Sequence, residues 1–157
     1  MHQGRTLFSQ VLDFLPRKQF RKCVDRYRGN YRTRSFTCYD QFLCMAFAQL
    51  TYRDSLRDTI LCLRAMRKKL HHVGIQGRVS RSTLADANEK RDWRIYCDFA
   101  QVLIAQARKL YAGDDFGLQL DETVYALASS TIDLARAVFP WARFRTTKSG
   151  IKLHTLL

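Results

Sequence analysis

Two patterns of apolar spacing divide this chain. From Leu7 to Leu110, apolar residues recur every three or four positions, the interval at which side chains share one helix face. After Gly113 the pattern changes, and Ile151, Leu153, Thr155 and Leu157 fall on alternate positions, as in a strand. Gly113-Asp114-Asp115 is the clearest junction between the two. The expected fold class is therefore mainly α. A multi-helix domain spans 1–112, and the opening strands of a second domain span 113–157.

Within the first domain, Pro16 separates a short helix with Leu7, Phe8, Val11, Leu12 and Leu15 inward from a second with Phe20, Val24 and Tyr27 inward. Arg17, Lys18, Arg21, Lys22, Arg26 and Arg28 form a basic face on the second, which Gly29-Asn30 stops. The segment Tyr31-Arg32-Thr33-Arg34-Ser35 follows as a basic loop. Thr37 is the expected N-cap of a helix from Cys38 to about Tyr52, apolar nearly all round and so central. Ser55 or Asp54 starts the next, with Leu56, Ile60, Leu63 and the stretch from Met66 to Leu70 inward, while Arg57, Arg64, Arg67, Lys68 and Lys69 face solvent. Gly74 and Gly77 bracket a turn. Ser80 caps a short helix running to Arg91, and a longer one runs from Trp93 to about Tyr111, with Ile95, Phe99, Val102, Leu103, Ala107 and Leu110 inward. Beyond the junction, 116–127 and 151–157 favour strands.

Charge is distributed unevenly. Residues 1–111 carry 22 Lys/Arg and 9 Asp/Glu, which accounts for the whole net charge of +13, while residues 112–157 carry 5 of each. A field of that sign concentrates polyanions, because neutralising phosphates releases their condensed counterions. Nucleic acid is the partner this favours; charge alone leaves open RNA in place of DNA, contact with anionic lipid, or a merely basic surface. No apolar run approaches the roughly 18 residues of a membrane span, and Gln10 and Asp13 interrupt any secretory apolar segment, so no membrane partner and a cytoplasmic location are expected. The five cysteines (Cys23, Cys38, Cys44, Cys62 and Cys97) form no CxxC pair and read as buried free thiols, not zinc ligands.

The segment Val79-Ser80-Arg81-Ser82-Thr83-Leu84-Ala85-Asp86-Ala87-Asn88 has the composition of a helix that reads DNA. Ser80, Arg81, Ser82 and Thr83 on its first turn reach phosphates or base edges, while Leu84 and Ala87 pin it to the core. An ordinary capped surface helix carries the same residue types, so spacing leaves both readings open.

Several ordered segments together carry a resemblance. They are Ser35 to Phe42 (SFTCYDQF), Leu50 to Asp58 (LTYRDSLRD), Val79 to Asn88 (VSRSTLADAN), Val124-Tyr125-Ala126-Leu127 with Ser130 to Leu134, and Lys152 to Leu157 (KLHTLL). Over nearly its whole length the chain resembles the N-terminal portion of a bacterial insertion-sequence transposase with an RNase H-like DDE catalytic domain, in the branch named for insertion sequence four. The resemblance implies a helical region that holds element ends in double-stranded DNA, with a helix-turn-helix-like unit around residues 38–91. Arg64, Arg67, Lys68, Lys69 and Arg78 would contact phosphates while the turn from Ser80 to Thr83 enters a groove. It also implies an α/β catalytic domain in which three acidic side chains hold two Mg²⁺ or Mn²⁺ ions, one activating the attacking oxygen and one stabilising the leaving oxygen.

At the first metal-binding position the family pattern has an aspartate and this chain has Ala128, which has no ligand atom. The other two acidic positions would fall beyond Leu157, so the expectation is a truncated RNase H-like domain with no bound cofactor. Asp121, seven residues before Ala128, falls on the opposite strand face, and Asp133 matches an aspartate the family already has beside its ligand. His154 likewise belongs to the family pattern. The expected protein binds transposon ends without cutting them, near the nucleoid, with a full-length transposase or a second copy as protein partner. Two alternatives stand beside it: an active metal-dependent transposase or nuclease completed by a longer or second polypeptide, and a remnant without a role.

Overall fold

The computed structural model of the chain describes residues 6–75, 79–110, 127–134, 141 and 149–156. These are mainly helical. Cα proximity divides the chain into two compact units, Met1–Gln106 and Ala107–Leu157.

In the first unit, α1 (Leu7–Val11) begins at Thr6, whose side chain accepts from the Ser9 amide, and a 3-10 turn over Leu12–Phe14 ends it. Pro16 precedes α2 (Arg17–Arg26), as its fixed φ and missing N–H allow. Helix α3 (Cys38–Leu50) starts in a full capping box: Thr37 Oγ1 accepts from the Asp40 amide, and the Asp40 carboxylate accepts from the Thr37 amide at 2.7 Å. Ser55 caps α4 (Leu56–Ala65). A break at Met66 separates it from the single turn α5 (Arg67–Leu70), and a 3-10 turn over His71–Val73 closes on Gly74 at φ 93°, where a side chain would be strained. Ser80 caps α6 (Arg81–Lys90), and α7 (Arg94–Leu110) follows.

Helices α2 and α3 both end in Schellman turns without glycine at the left-handed position. Arg28 takes it after α2, at φ 52°, with Gly29 N–H bonded to Val24 O and Arg28 N–H to Asp25 O. Tyr52 takes it after α3, at φ 53°, with Arg53 N–H bonded to Ala48 O. Gly29 is needed one residue further on for close packing: a Cβ there would stand 2.5 Å from Ile95 Cδ1 and 2.8 Å from Cys38 Sγ.

Two apolar clusters hold the unit. One gathers Leu43, Cys44 and Phe47 of α3, Ile60 and Leu63 of α4, Leu70, Val73 and Leu84, so that α3, α4 and α6 each touch the other two. The other gathers Phe20, Cys23 and Val24 of α2 with Cys38, Ile95 and Phe99. In it the Phe20 and Phe99 rings meet edge to face at 4.9 Å.

The helical spacing predicted these elements closely, with four differences. Leu7 (76% exposed) and Val11 lie outside the core, because this short segment turns only one face inward, the one that carries Phe8 and the buried Leu12. Helix α3 stops at Leu50, where Tyr52 turns left-handed. The stretch from Met66 to Leu70 starts a new helix instead of continuing α4, and only Leu70 of it is fully buried. Helix α7 begins at Arg94, and its Ile95 and Phe99 are buried while Ala107 and Leu110 are exposed.

In the second unit, β1 (Leu127–Leu134) pairs antiparallel with β2 (Ser149–Leu156). The strand expected over 151–157 corresponds to β2. That expected over 116–127, and the junction Gly113-Asp114-Asp115, lie outside the described residues apart from Leu127.

Candidate nucleic-acid interface

The first turn of α6 is a solvent-facing helix start that carries a hydroxyl cluster. Ser80 is extended (φ −94°, ψ 156°), and its Oγ accepts from the Thr83 amide at 3.0 Å. The same oxygen lies 2.9 Å from Ser82 Oγ and 2.8 Å from Thr83 Oγ1, so the three hydroxyls form one hydrogen-bonded cluster. Arg81, Ser82 and Thr83 are exposed, and no acidic residue occupies the turn to neutralise the positive end of the helix dipole. Arg81 has no ion pair among the described residues.

What fixes this turn is the rest of α6. Leu84 is completely buried and Ala87 nearly so, on the side facing α3 and α4. Beyond them, a polar network ties the helix end to α3. Gln41, itself buried, donates through Nε2 to Asn88 Oδ1 at 2.6 Å and accepts at Oε1 from Tyr96 Oη at 2.6 Å and from Arg91 Nη1 at 3.0 Å. Arg91 also donates to the carbonyls of Thr37, at 2.6 Å, and of Phe36, with its guanidinium over the Phe36 ring. Burial pushes the Tyr96 phenol far above its ordinary range, so it stays a donor. Asn88 and Arg91 thus position α6 and are not free to read a ligand.

Of the phosphate contacts expected from sequence, Arg64 on α4 and Arg67, Lys68 and Lys69 on α5 are all exposed. No hydrogen bond or ion pair among the described residues links them to Arg81, and Arg78 lies outside the described residues. Two further cations belong here, Arg34 from the loop before α3 and Lys90 at the end of α6 itself, which also lies 3.8 Å from Asp86. Arg34 and Lys90 line a groove of about 320 Å³ with Thr33, Thr83 and Asp86. The basic character of the loop around Arg34 was visible in the sequence. Its position was not, because it depends on Arg91 binding the backbone of Phe36 and Thr37 from 54 and 55 residues away.

Of the five thiols expected to be buried, Cys23, Cys38 and Cys44 are, while Cys62 is half-buried and Cys97 exposed; burial pushes Cys44 up to about 12. Burial also raises Cys23 and Cys38, which suits packing and not nucleophilic chemistry. Among the described residues no three His, Cys, Asp or Glu side chains gather as a metal site. Ala128 is the second residue of β1, opposite Thr155; Asp133 lies opposite Gly150 and His154 opposite Ser129. Asp121 lies outside the described residues. No helix among the described residues is long and apolar enough to cross a membrane.

No curated protein and no solved structure matches the chain. A family model described as a domain of unknown function (DUF4372) matches residues 3–76, a segment that runs from α1 through α5 and ends before α6.

Proposed function

We propose that the helical unit binds double-stranded DNA, with α3, α4 and α6 as a helix-turn-helix-like unit and α6 as the reading helix. The observation that carries this is the exposed turn Arg81-Ser82-Thr83 on a helix anchored by Leu84 and Ala87. The excess of basic residues in 1–111 supports it, since phosphate neutralisation supplies most of the affinity in such complexes. The groove beside α6 adds Arg34 and Lys90 as backbone contacts. Arg64, Arg67, Lys68 and Lys69, with Arg78 further along the sequence, supply additional phosphate contacts in this reading.

The resemblance to insertion-sequence transposases makes transposon ends the target and a full-length transposase or a second copy the protein partner, at the nucleoid. In that reading 1–112 is the DNA-binding domain and 113–157 belongs to an RNase H-like domain. Ala128 has no donor atom where the resemblance expects a metal-binding aspartate, so the residues of this chain do not fit the Mg²⁺ or Mn²⁺ site of that family. The role proposed is binding without cleavage.

Fluorescence anisotropy with duplexes carrying element ends tests the reading. Affinity is expected to fall steeply with salt, and Arg81→Ala with Ser82→Ala to abolish the preference for the end sequence. If that double variant keeps both affinity and preference, α6 is not the reading helix. Incubation with supercoiled plasmid and Mn²⁺ is expected to leave the plasmid intact. Nicking that EDTA abolishes would instead favour a metal-dependent transposase or nuclease completed by a longer or second polypeptide.

A further inference from the structure

The strongest unassigned feature is a cavity of about 450 Å³ between α2 and the start of α3. Its rim is cationic: Arg17, Lys18 and Arg21 all line it, and all three are exposed. Arg17 and Arg21 are four residues apart and Lys18 and Arg21 three, so one helix face presents the three charges together. None of them has an ion pair among the described residues. Its walls are apolar, from Phe20, Val24 and the Tyr39 ring, with the Arg17 guanidinium 5.5 Å from the centre of that ring.

The Tyr39 hydroxyl is buried and lies under the influence of the Arg17 guanidinium, yet no group meets it with good hydrogen-bond geometry. An unpaired buried hydroxyl costs about 1–3 kcal/mol, which a structure retains more readily where a ligand supplies the missing partner. No acidic side chain lines the cavity. Asp40, next to Tyr39 in the chain, is occupied by the Thr37 amide and hydroxyl at 2.7 and 2.6 Å.

We propose that this cavity is a second phosphate-ester site, in which Arg17, Lys18 and Arg21 hold a phosphodiester group of the DNA while the sugar or base beside it rests on Phe20, Val24 and Tyr39. Three unpaired cations match the divided charge of a phosphate, and an apolar wall behind them suits a nucleotide better than a bare inorganic anion. The partner assigned here rests on the DNA-binding reading above. The site lies apart from α6 in the sequence and uses the basic face of α2, which that reading leaves without a role.

The test compares wild type with the triple variant Arg17→Gln, Lys18→Gln and Arg21→Gln, checked by circular dichroism, and with Tyr39→Phe. Duplex affinity is measured against salt by anisotropy, and AMP and inorganic phosphate are titrated separately by ³¹P NMR. The triple variant is expected to lower the slope of log affinity against log salt by about 3, one for each cation, and to keep the sequence preference. Tyr39→Phe is expected to weaken duplex binding about 3–10-fold without lowering the melting temperature. An unchanged slope together with unchanged Tyr39→Phe affinity overturns the site even though wild type still binds DNA. If wild type binds no duplex, the DNA-binding reading fails and the NMR arm decides. Broadening of the AMP resonance that the triple variant abolishes keeps a phosphate-ester site filled by free nucleotide, and no broadening overturns the site as well.

Discussion

The side-chain amide of Gln41, in the first turn of α3, donates to Asn88 Oδ1 across 2.6 Å, and Asn88 stands near the end of α6. Tyr96 and Arg91 both donate to the other end of the same amide. One buried side chain therefore satisfies three partners from two later segments, and its loss leaves each of them short of a bond.

Replacing Gln41 with Ala is expected to destabilise the domain by about 2–3 kcal/mol, since buried donors left unpaired cost far more than a hydrogen bond gains. Urea denaturation followed by circular dichroism measures this. A loss below about 0.5 kcal/mol would mean that water replaces the network at no cost.

Ser80 separates stability from binding. Ser80→Ala removes the bond to the Thr83 amide and is expected to cost about 1 kcal/mol. Ser80→Asp keeps the cap and the favourable dipole interaction, so the melting temperature should hold, while its charge repels phosphate and weakens duplex binding. Equal duplex affinity in wild type and Ser80→Asp would separate this turn from the DNA.

The turn after α2 offers a pair of opposite effects. Gly29→Ala forces a Cβ to within 2.5 Å of Ile95 Cδ1 and is expected to cost about 1–3 kcal/mol. Arg28→Gly relieves a side chain held at φ 52° and is expected to stabilise by up to about 1 kcal/mol, less whatever the Arg28 contact over the Tyr31 ring contributes. Thermal melts of the two single variants, moving in opposite directions, check the geometry.

Thiol reactivity reports on the core. Cys97 is exposed, whereas Cys38 and Cys44 are fully buried, with the Cys44 thiol pushed up to about 12 by that burial. Iodoacetamide at pH 8 should alkylate Cys97 in the native protein and reach Cys38 and Cys44 only after unfolding, as read by peptide mass spectrometry. Raising the pH to 9 should leave Cys44 unmodified, since its thiol stays protonated there.

Much of the helical unit was legible because its starts are local. Thr37, Ser55 and Ser80 each precede a helical run, and a short side-chain oxygen before such a run has one obvious use. The stops were harder. Met66 breaks a helix with neither glycine nor proline, and Arg28 and Tyr52 take left-handed positions that usually announce themselves as glycine. The site was legible only in its first turn. Asn88 and Arg91 sit in the same segment as Ser80 to Thr83, yet their partners lie 47 to 55 residues away, and no spacing rule reaches that far. The cavity under Arg17, Lys18 and Arg21 was half legible: the basic face was plain, but the wall supplied by Tyr39 comes from another helix.

Arg91 bonds the carbonyls of Phe36 and Thr37 from the residue that ends α6. The strand of backbone that carries Arg34 is thereby stapled to the helix it faces, before any ligand arrives. A free loop of that kind would have to be ordered on contact, at an entropic cost of about 1–2 kcal/mol for each residue. Here the ordering belongs to folding. A polyanion that meets α6 meets Arg34 already in register, so complex formation should proceed with little loss of loop freedom and a correspondingly fast approach to equilibrium.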